Sequence, residues 1–322
     1  MGPLFQRLSH RRRGAAENFP MADSTANLRR KIGSAADLQS VVRAMKAQAA
    51  ASVGQYATSV AALGDYARTV ELGLGACFRQ DRRMATATRI RSAVANRPIR
   101  AVVFGSDQGL VGRFNDAVAE YAAQALSTQR QGLQVWAVGE RMRASLADCG
   151  MPAKNTFTVP SSVQAITRLV TEILVRAVDT MPTASESGTA SELRLFYNRP
   201  TTGSAYVPVD QRLLPLDDAW RLELARRPWP TQLPPEVVGD PSETMRGLIN
   251  EYVFVSVFRA SAESLASENA SRLAAMDRAD RNIDKMLGVL NDRFHRLRQS
   301  KIDEELSDVI SGFKALSQSI SQ

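Results

Sequence analysis

The chain has 322 residues, 44% of them apolar and 23% charged, enough for one large or two ordinary globular domains. Its net charge of +8 is dispersed, with acidic residues spread along most of the chain, which makes nucleic acid a poor candidate partner. Two histidines and two cysteines in no metal or redox spacing exclude a zinc site and a Ser-His-Asp triad, and no apolar run nears the roughly 18–20 residues of a membrane span.

The first residues carry Arg7, Arg11, Arg12 and Arg13 but no apolar secretory core. Residues 1–22 therefore read as a disordered leader, with Met21 the expected natural start. Of the fourteen prolines, all but Pro3 and Pro20 lie between Pro98 and Pro241, which leaves a proline-free arm at each end. The N-terminal arm opens on a capping choice of Asp23, Ser24 or Thr25. One apolar row then runs Leu28, Ala35, Val42, Ala49, Tyr56, Leu63, Val70. A second runs Ile32, Gln39, Lys46, Val53, Val60, Ala67, Leu74. These are the a and d rows of a heptad, and residues 24–78 would reach roughly 80 Å as a helix.

The middle alternates between strand and helix patterns. Strands are predicted at Ile99–Phe104, Leu133–Val138, Asn155–Val159, Leu193–Tyr197 and Tyr206–Leu214, and helices at 113–127, 140–148 and 161–180. That order implies an α/β layer on a largely parallel sheet. A polar loop over 182–191 interrupts it. The stretch 215–241 holds six prolines with Trp220 and Trp229, and is a connector that cannot form a long helix.

The C-terminal arm follows Pro241 with Ser242 as the expected cap. Its rows run Leu248, Val255, Ala262, Asn269, Met276, Ile283, Leu290, Leu297 and Tyr252, Arg259, Ala266, Leu273, Asp280, Leu287, Phe294. After Leu297 the phase slips, to Ile302, Val309, Leu316 and Leu306, Phe313, Ile320, so the tail aims its stripe elsewhere. The expected class is α/β: a long antiparallel coiled coil of N- and C-terminal helices plus a central Rossmann-like α/β domain. Its parts are the leader 1–22, a coiled-coil helix 23–80, the α/β domain 81–214, the connector 215–241 and a coiled-coil helix 242–322.

One loop tempts a chemical reading. Gly105-Ser-Asp-Gln-Gly109-Leu-Val-Gly112 lies between a predicted strand and helix, where phosphates are cradled. It lacks both the dinucleotide glycine spacing and a Gly-Lys-Ser/Thr ending, and a tight turn with Asp107 or Asn115 as a local cap accounts for it. The carboxylates at Asp217/Asp218 and Asp303/Glu304/Glu305 read as solvated surface, so no catalytic residue and no cofactor is expected. Polar residues along the arms, Arg43, Lys46, Gln299 and Asp303, admit two readings: register-setting within the coil, or contact with a partner.

Three stretches in order resemble the gamma subunit of F-type ATP synthases. They are Arg43-Ala44-Met45 with small residues after it, Ser106-Asp107-Gln108-Gly109-Leu110-Val111-Gly112-Arg113-Phe114-Asn115, and Ser267-Glu268-Asn269-Ala270-Ser271-Arg272-Leu273-Ala274-Ala275-Met276 with Arg298 to Gly312. The resemblance implies a non-catalytic rotor subunit that turns inside a ring of alpha and beta subunits, couples proton or sodium movement to ATP synthesis or hydrolysis, and meets an epsilon subunit and a c-subunit ring. It implies a peripheral place on the cytoplasmic side of a bacterial inner membrane, with the nucleotide sites on beta. By resemblance Arg43, Met45 and Lys46 face the ring from the N-terminal helix, and Arg298, Gln299, Asp303 and Glu305 from the C-terminal one. Ile310, Phe313, Leu316 and Ile320 form the apolar tip. Gln108, Val111, Arg113 and Phe114 depart from the family's usual residues, in the manner of a divergent bacterial branch such as the alternate, sodium-type F-ATPases. The rival reading is a nucleotide-binding α/β enzyme with helical oligomerisation arms.

Overall fold

The computed structural model describes residues 24–80, 98–128, 132–179, 192–202, 205–233 and 235–319, with the backbone alone over 178–179 and 314–319. The expected leader, the start of the domain from residue 81, the polar loop at 182–191 and Ile320 lie outside the described residues.

Helix α1 (Thr25–Gln80) opens where Ser24 accepts from the Asn27 amide at 3.2 Å. It carries the predicted seam: Leu28, Ala35, Val42, Ala49, Tyr56 and Val70 are buried, and Leu63 is half-buried. Strand β1 (Ile99–Phe104) leads to α2 (Phe114–Ala125), β2 (Gln134–Val138), α3 (Glu140–Asp148), β3 (Asn155–Phe157) and α4 (Val163–Asp179). Strands β4 (Glu192–Pro200) and β5 (Tyr206–Leu214) follow.

The five strands form one sheet in the order β3-β2-β1-β4-β5. All neighbours are parallel except β5, which runs antiparallel along β4. Strand β1 is buried on both faces, as a central parallel strand should be. Val102 and Phe104 point with Trp136, Leu195 and Tyr197 toward α4 and the long helices, packing on Ile166, Ile173 and Val257. Ala101 and Val103 point the other way, onto Val118, Ala122 and Met142 of α2 and α3.

The connector contains a short helix, α5 (Asp218–Arg226), capped by the Asp217 carboxylate. The prolines delimit it rather than forbid it. Leu224 packs with Val70, Leu74 and Phe78 of α1, and Trp220 stacks near Tyr252 with ring centroids 4.7 Å apart. A side chain at Gly75 would bring a Cβ to 2.6 Å from the Leu224 carbonyl, so glycine is what lets α5 approach.

Helix α6 (Pro241–Ser319) begins one residue earlier than expected. Asp240, not Ser242, is its cap: the carboxylate accepts from the Ser242 amide at 2.9 Å, which leaves Pro241 at the first helical position where a missing N–H costs nothing. The chain divides into two compact units, residues 41–280 and the remainder of α1 with α6 beyond Asp280. In the second of these, Leu28, Ala35, Gln39 and Ile283 are buried and Leu287, Leu290, Phe294 and Leu297 half-buried, which is a heptad seam. In the first, α6 is buried on nearly every side from Ala260 to Ala270.

Candidate functional site

The loop after β1 has spent its polar groups on the chain itself. The Asp107 carboxylate accepts from the Glu140 amide at 2.9 Å, at the start of α3, and from the Val159 amide at 3.0 Å. The Asn115 side chain accepts from the Ser106 amide and donates to the Ser106 hydroxyl, each at 2.9 Å. Asp107 therefore caps α3 and Asn115 braces the loop from within α2, while α2 itself has no side-chain cap. A Cβ at Gly105 would meet Asn115 Oδ1 at 2.6 Å and Met142 Cε at 2.5 Å, so that glycine is required by packing. Ser271 of α6 donates to the Val111 carbonyl at 2.6 Å. The loop is tied to α3 through Asp107 and to α6 through Ser271.

Glu268, only 4% exposed, is bonded at 2.6 Å to Arg272 one turn on. Burial pushes its carboxyl above the usual carboxylate range, and nearby Asp107 adds to this, while Arg272 pulls it back down. Among the described residues no three His, Cys, Asp or Glu side chains could hold a metal ion. No helix among them is long and apolar enough to cross a membrane.

The sequence-predicted contact residues fall into two groups. On α1, the Arg43 Nε donates to Asp280 at 3.1 Å and the Lys46 ammonium to Asp277 at 2.5 Å. Tyr66 donates to Glu251 at 2.9 Å. As α1 numbers rise α6 numbers fall, so the two helices pair antiparallel within this unit. These ion pairs account for Lys46 and Asp280 interrupting apolar rows. Arg43 still leaves 61% of its side chain in solvent, and Met45 is half-buried. On α6, Arg298, Gln299, Asp303, Glu305, Ile310 and Phe313 are all exposed, and the Leu316 side chain lies outside the described residues.

The tail presents more than the predicted residues. Ile302, Leu306, Val309 and Phe313 are 53%, 58%, 69% and 73% exposed, at a spacing that puts them on one helix face with Ile310 beside them. Large apolar side chains exposed in a row are the mark of a binding surface. The sequence reasoning assigned no role to the polar seam of α6, where Glu263 and Glu268 are buried and Arg272 is half-buried beside them. Its one legible signal was the Glu-to-Arg pair four residues apart in an alanine- and serine-rich run.

Comparison with known proteins gives a consistent result. A family described as ATP synthase matches residues 24–316. The ATP synthase gamma chain of Moorella thermoacetica is 28% identical over 303 residues, covering 90% of this chain and 98% of that one. That of Fuscovulum blasticum is 28% identical over 297 residues, covering 91% and 99%. Among solved structures, the rotor of the Euglena gracilis mitochondrial ATP synthase superposes with a TM-score of 0.59 at 14% identity, over 86% of this chain and 98% of that one. The central stalk and c-ring structure of the Tetrahymena thermophila mitochondrial enzyme contains a chain that superposes at 0.53 with 20% identity, over 74% and 99%.

Proposed function

This chain belongs to the ATP synthase gamma family, and from that premise we propose that it is the non-catalytic central shaft of a rotary complex, turning inside a ring of alpha and beta subunits. The observation that carries this reading is the tail of α6, where Ile302, Leu306, Val309 and Phe313 form an apolar stripe that no described part of the chain covers. A collar of partner subunits would supply the missing surface. Catalysis then belongs to the partners, and the chain acts by offering three equivalent sites three different faces at any instant. Differential contact of that kind biases each site toward a different conformation, and turning moves the bias round the ring.

Arg43, Met45 and Lys46 on α1, and Arg298, Gln299, Asp303 and Glu305 on α6, are proposed contacts with the ring, and Ile310, Phe313 and Leu316 its apolar bearing. For Arg43 this is supported by its exposed guanidinium edge, which remains available although Nε is held by Asp280. An epsilon subunit and a c-subunit ring are the further proposed partners, on the cytoplasmic face of a bacterial inner membrane, with the translocated ion chosen by the c ring. The rival reading, a nucleotide-binding enzyme, rests on the loop after β1, and that loop lacks the Gly-Lys-Ser/Thr ending of a nucleotide cradle.

The test is affinity purification of the full chain from native membranes in mild detergent. Alpha, beta and c subunits should co-purify in fixed proportion. Recovery of a folded chain without alpha and beta would overturn the proposal.

A further inference from the structure

Away from the proposed ring contacts, a cavity of about 200 Å³ opens where α1, α5 and α6 meet strands β4 and β5. Its charge is unbalanced in one direction. Arg199 of β4 and Arg259 of α6 both line it, and both engage one carboxylate, Glu263, which is 4% exposed. Arg259 Nε donates to Glu263 Oε1 at 2.7 Å and Arg199 Nε to Oε2 at 3.2 Å. Each arginine thus spends its inner nitrogen on the shared carboxylate. Arg199 turns one terminal amine to the Tyr197 hydroxyl at 2.9 Å, and among the described residues no acceptor takes the terminal amines of Arg259. The other carboxylate on the wall, Glu71, is held by Arg227 at 2.7 Å.

We propose that this cavity is an anion site for a small oxyanion, a phosphate or a carboxylate, clasped by the terminal amines of Arg199 and Arg259. Two guanidinium groups against one buried carboxylate leave a surplus positive charge. Planar guanidinium groups meet such anions two-pronged, with charge-assisted hydrogen bonds. Gln211, Tyr252 and Ser256 line the cavity too, so its wall carries further polar groups. Volume favours a small ligand, since pockets for drug-sized molecules run from about 300 to 1,000 Å³. The two arginine side chains are about half exposed, which leaves an entrance from solvent. A bound anion would join α6 to β4, at the seam between the paired helices and the sheet. The site is independent of the rotor reading and stands or falls separately.

Trp220 lines the cavity and stacks on Tyr252, so its fluorescence reports occupancy. The full chain is titrated with inorganic phosphate and, in a second arm, with citrate, against chloride at constant ionic strength. A saturable change in the millimolar range or below is expected with phosphate, citrate or both, and the arm that saturates names the anion's chemistry. Trp220→Phe should abolish the signal. Arg259→Gln should weaken binding by about tenfold or more, the loss of one charge-assisted pair. Arg259→Lys, which keeps a charge for Glu263 but loses the fork, should also bind more weakly while its melting temperature without anion stays near that of the parent. A response that chloride reproduces, no saturable response, or unchanged affinity in a folded Arg259→Lys chain would overturn the proposal.

Discussion

Ala260–Ala270 and Lys301–Phe313 belong to the same helix and meet opposite surroundings. In the first stretch every residue but Asn269 is buried, and in the second every residue is exposed. Their compositions run against those environments. The buried stretch is mostly alanine and serine with two glutamates, while the exposed one carries Ile302, Leu306, Val309, Ile310 and Phe313. Hydropathy alone would not separate them, because the exposed stretch also carries Lys301, Asp303, Glu304, Glu305 and Asp308. A helix with neighbours on every side needs small side chains so that those neighbours can come close, and it tolerates polar groups that pair locally, as Glu268 does with Arg272. A helix with large apolar groups in open solvent is one half of an interface.

The strongest way to break this comparison is to put the same charge into each kind of helix surface. Val257, just before the crowded stretch, is fully buried, and Val309 is 69% exposed. Val257→Asp leaves an unpaired carboxylate in the core and should cost about 3–5 kcal/mol in urea unfolding of the full chain, whereas Val309→Asp should stay within about 0.5 kcal/mol. Equal losses at the two sites would mean that the tail is packed in solution. A second pair tests whether size, rather than polarity, governs the buried stretch. Ser264 is 2% exposed and its hydroxyl finds no partner among the described residues. Ser264→Ala should therefore be neutral or stabilising, while Ser264→Leu should cost about 1–3 kcal/mol through overpacking. The smallest effect belongs to Arg43 and Asp280, whose pair is largely exposed on the arginine side. A double-mutant cycle with Arg43→Gln and Asp280→Asn should return a coupling below about 1 kcal/mol. A larger loss of ATP-driven ion pumping in Arg43→Gln than its stability change explains would then point to the partner contact.

Much of the fold was legible because both long helices bury one heptad seam and the central strands are continuous apolar runs. The first row of α1 was read residue by residue, and β1 and β5 end where the sequence said they would. Helix α5 was hidden because proline density argues against long helices and is silent on a nine-residue one. The cap of α6 was misplaced by two residues because Asp240 and Ser242 both suit a cap, and only Pro241 between them decides. The crowded stretch of α6 was read as two heptad rows with polar members, Arg259 and Asn269 among them. Alternating small residues satisfy a heptad and an all-round burial equally well, and only the neighbours distinguish them. For the proposed contacts, sequence located exposed and ion-paired positions without showing which were already engaged. Lys46 and Arg43 turned out to hold Asp277 and Asp280.

The most direct test of the account compares thiol labelling in the free chain and in the assembled complex. Phe313→Cys is introduced with Cys77 and Cys149 replaced by alanine, and Ala262→Cys, at a fully buried position, serves as the internal reference. The account predicts fast labelling of Phe313→Cys in the free chain, strong protection of it in the complex, and no labelling of Ala262→Cys in either. Labelling of Phe313→Cys at the same rate in both states would contradict it.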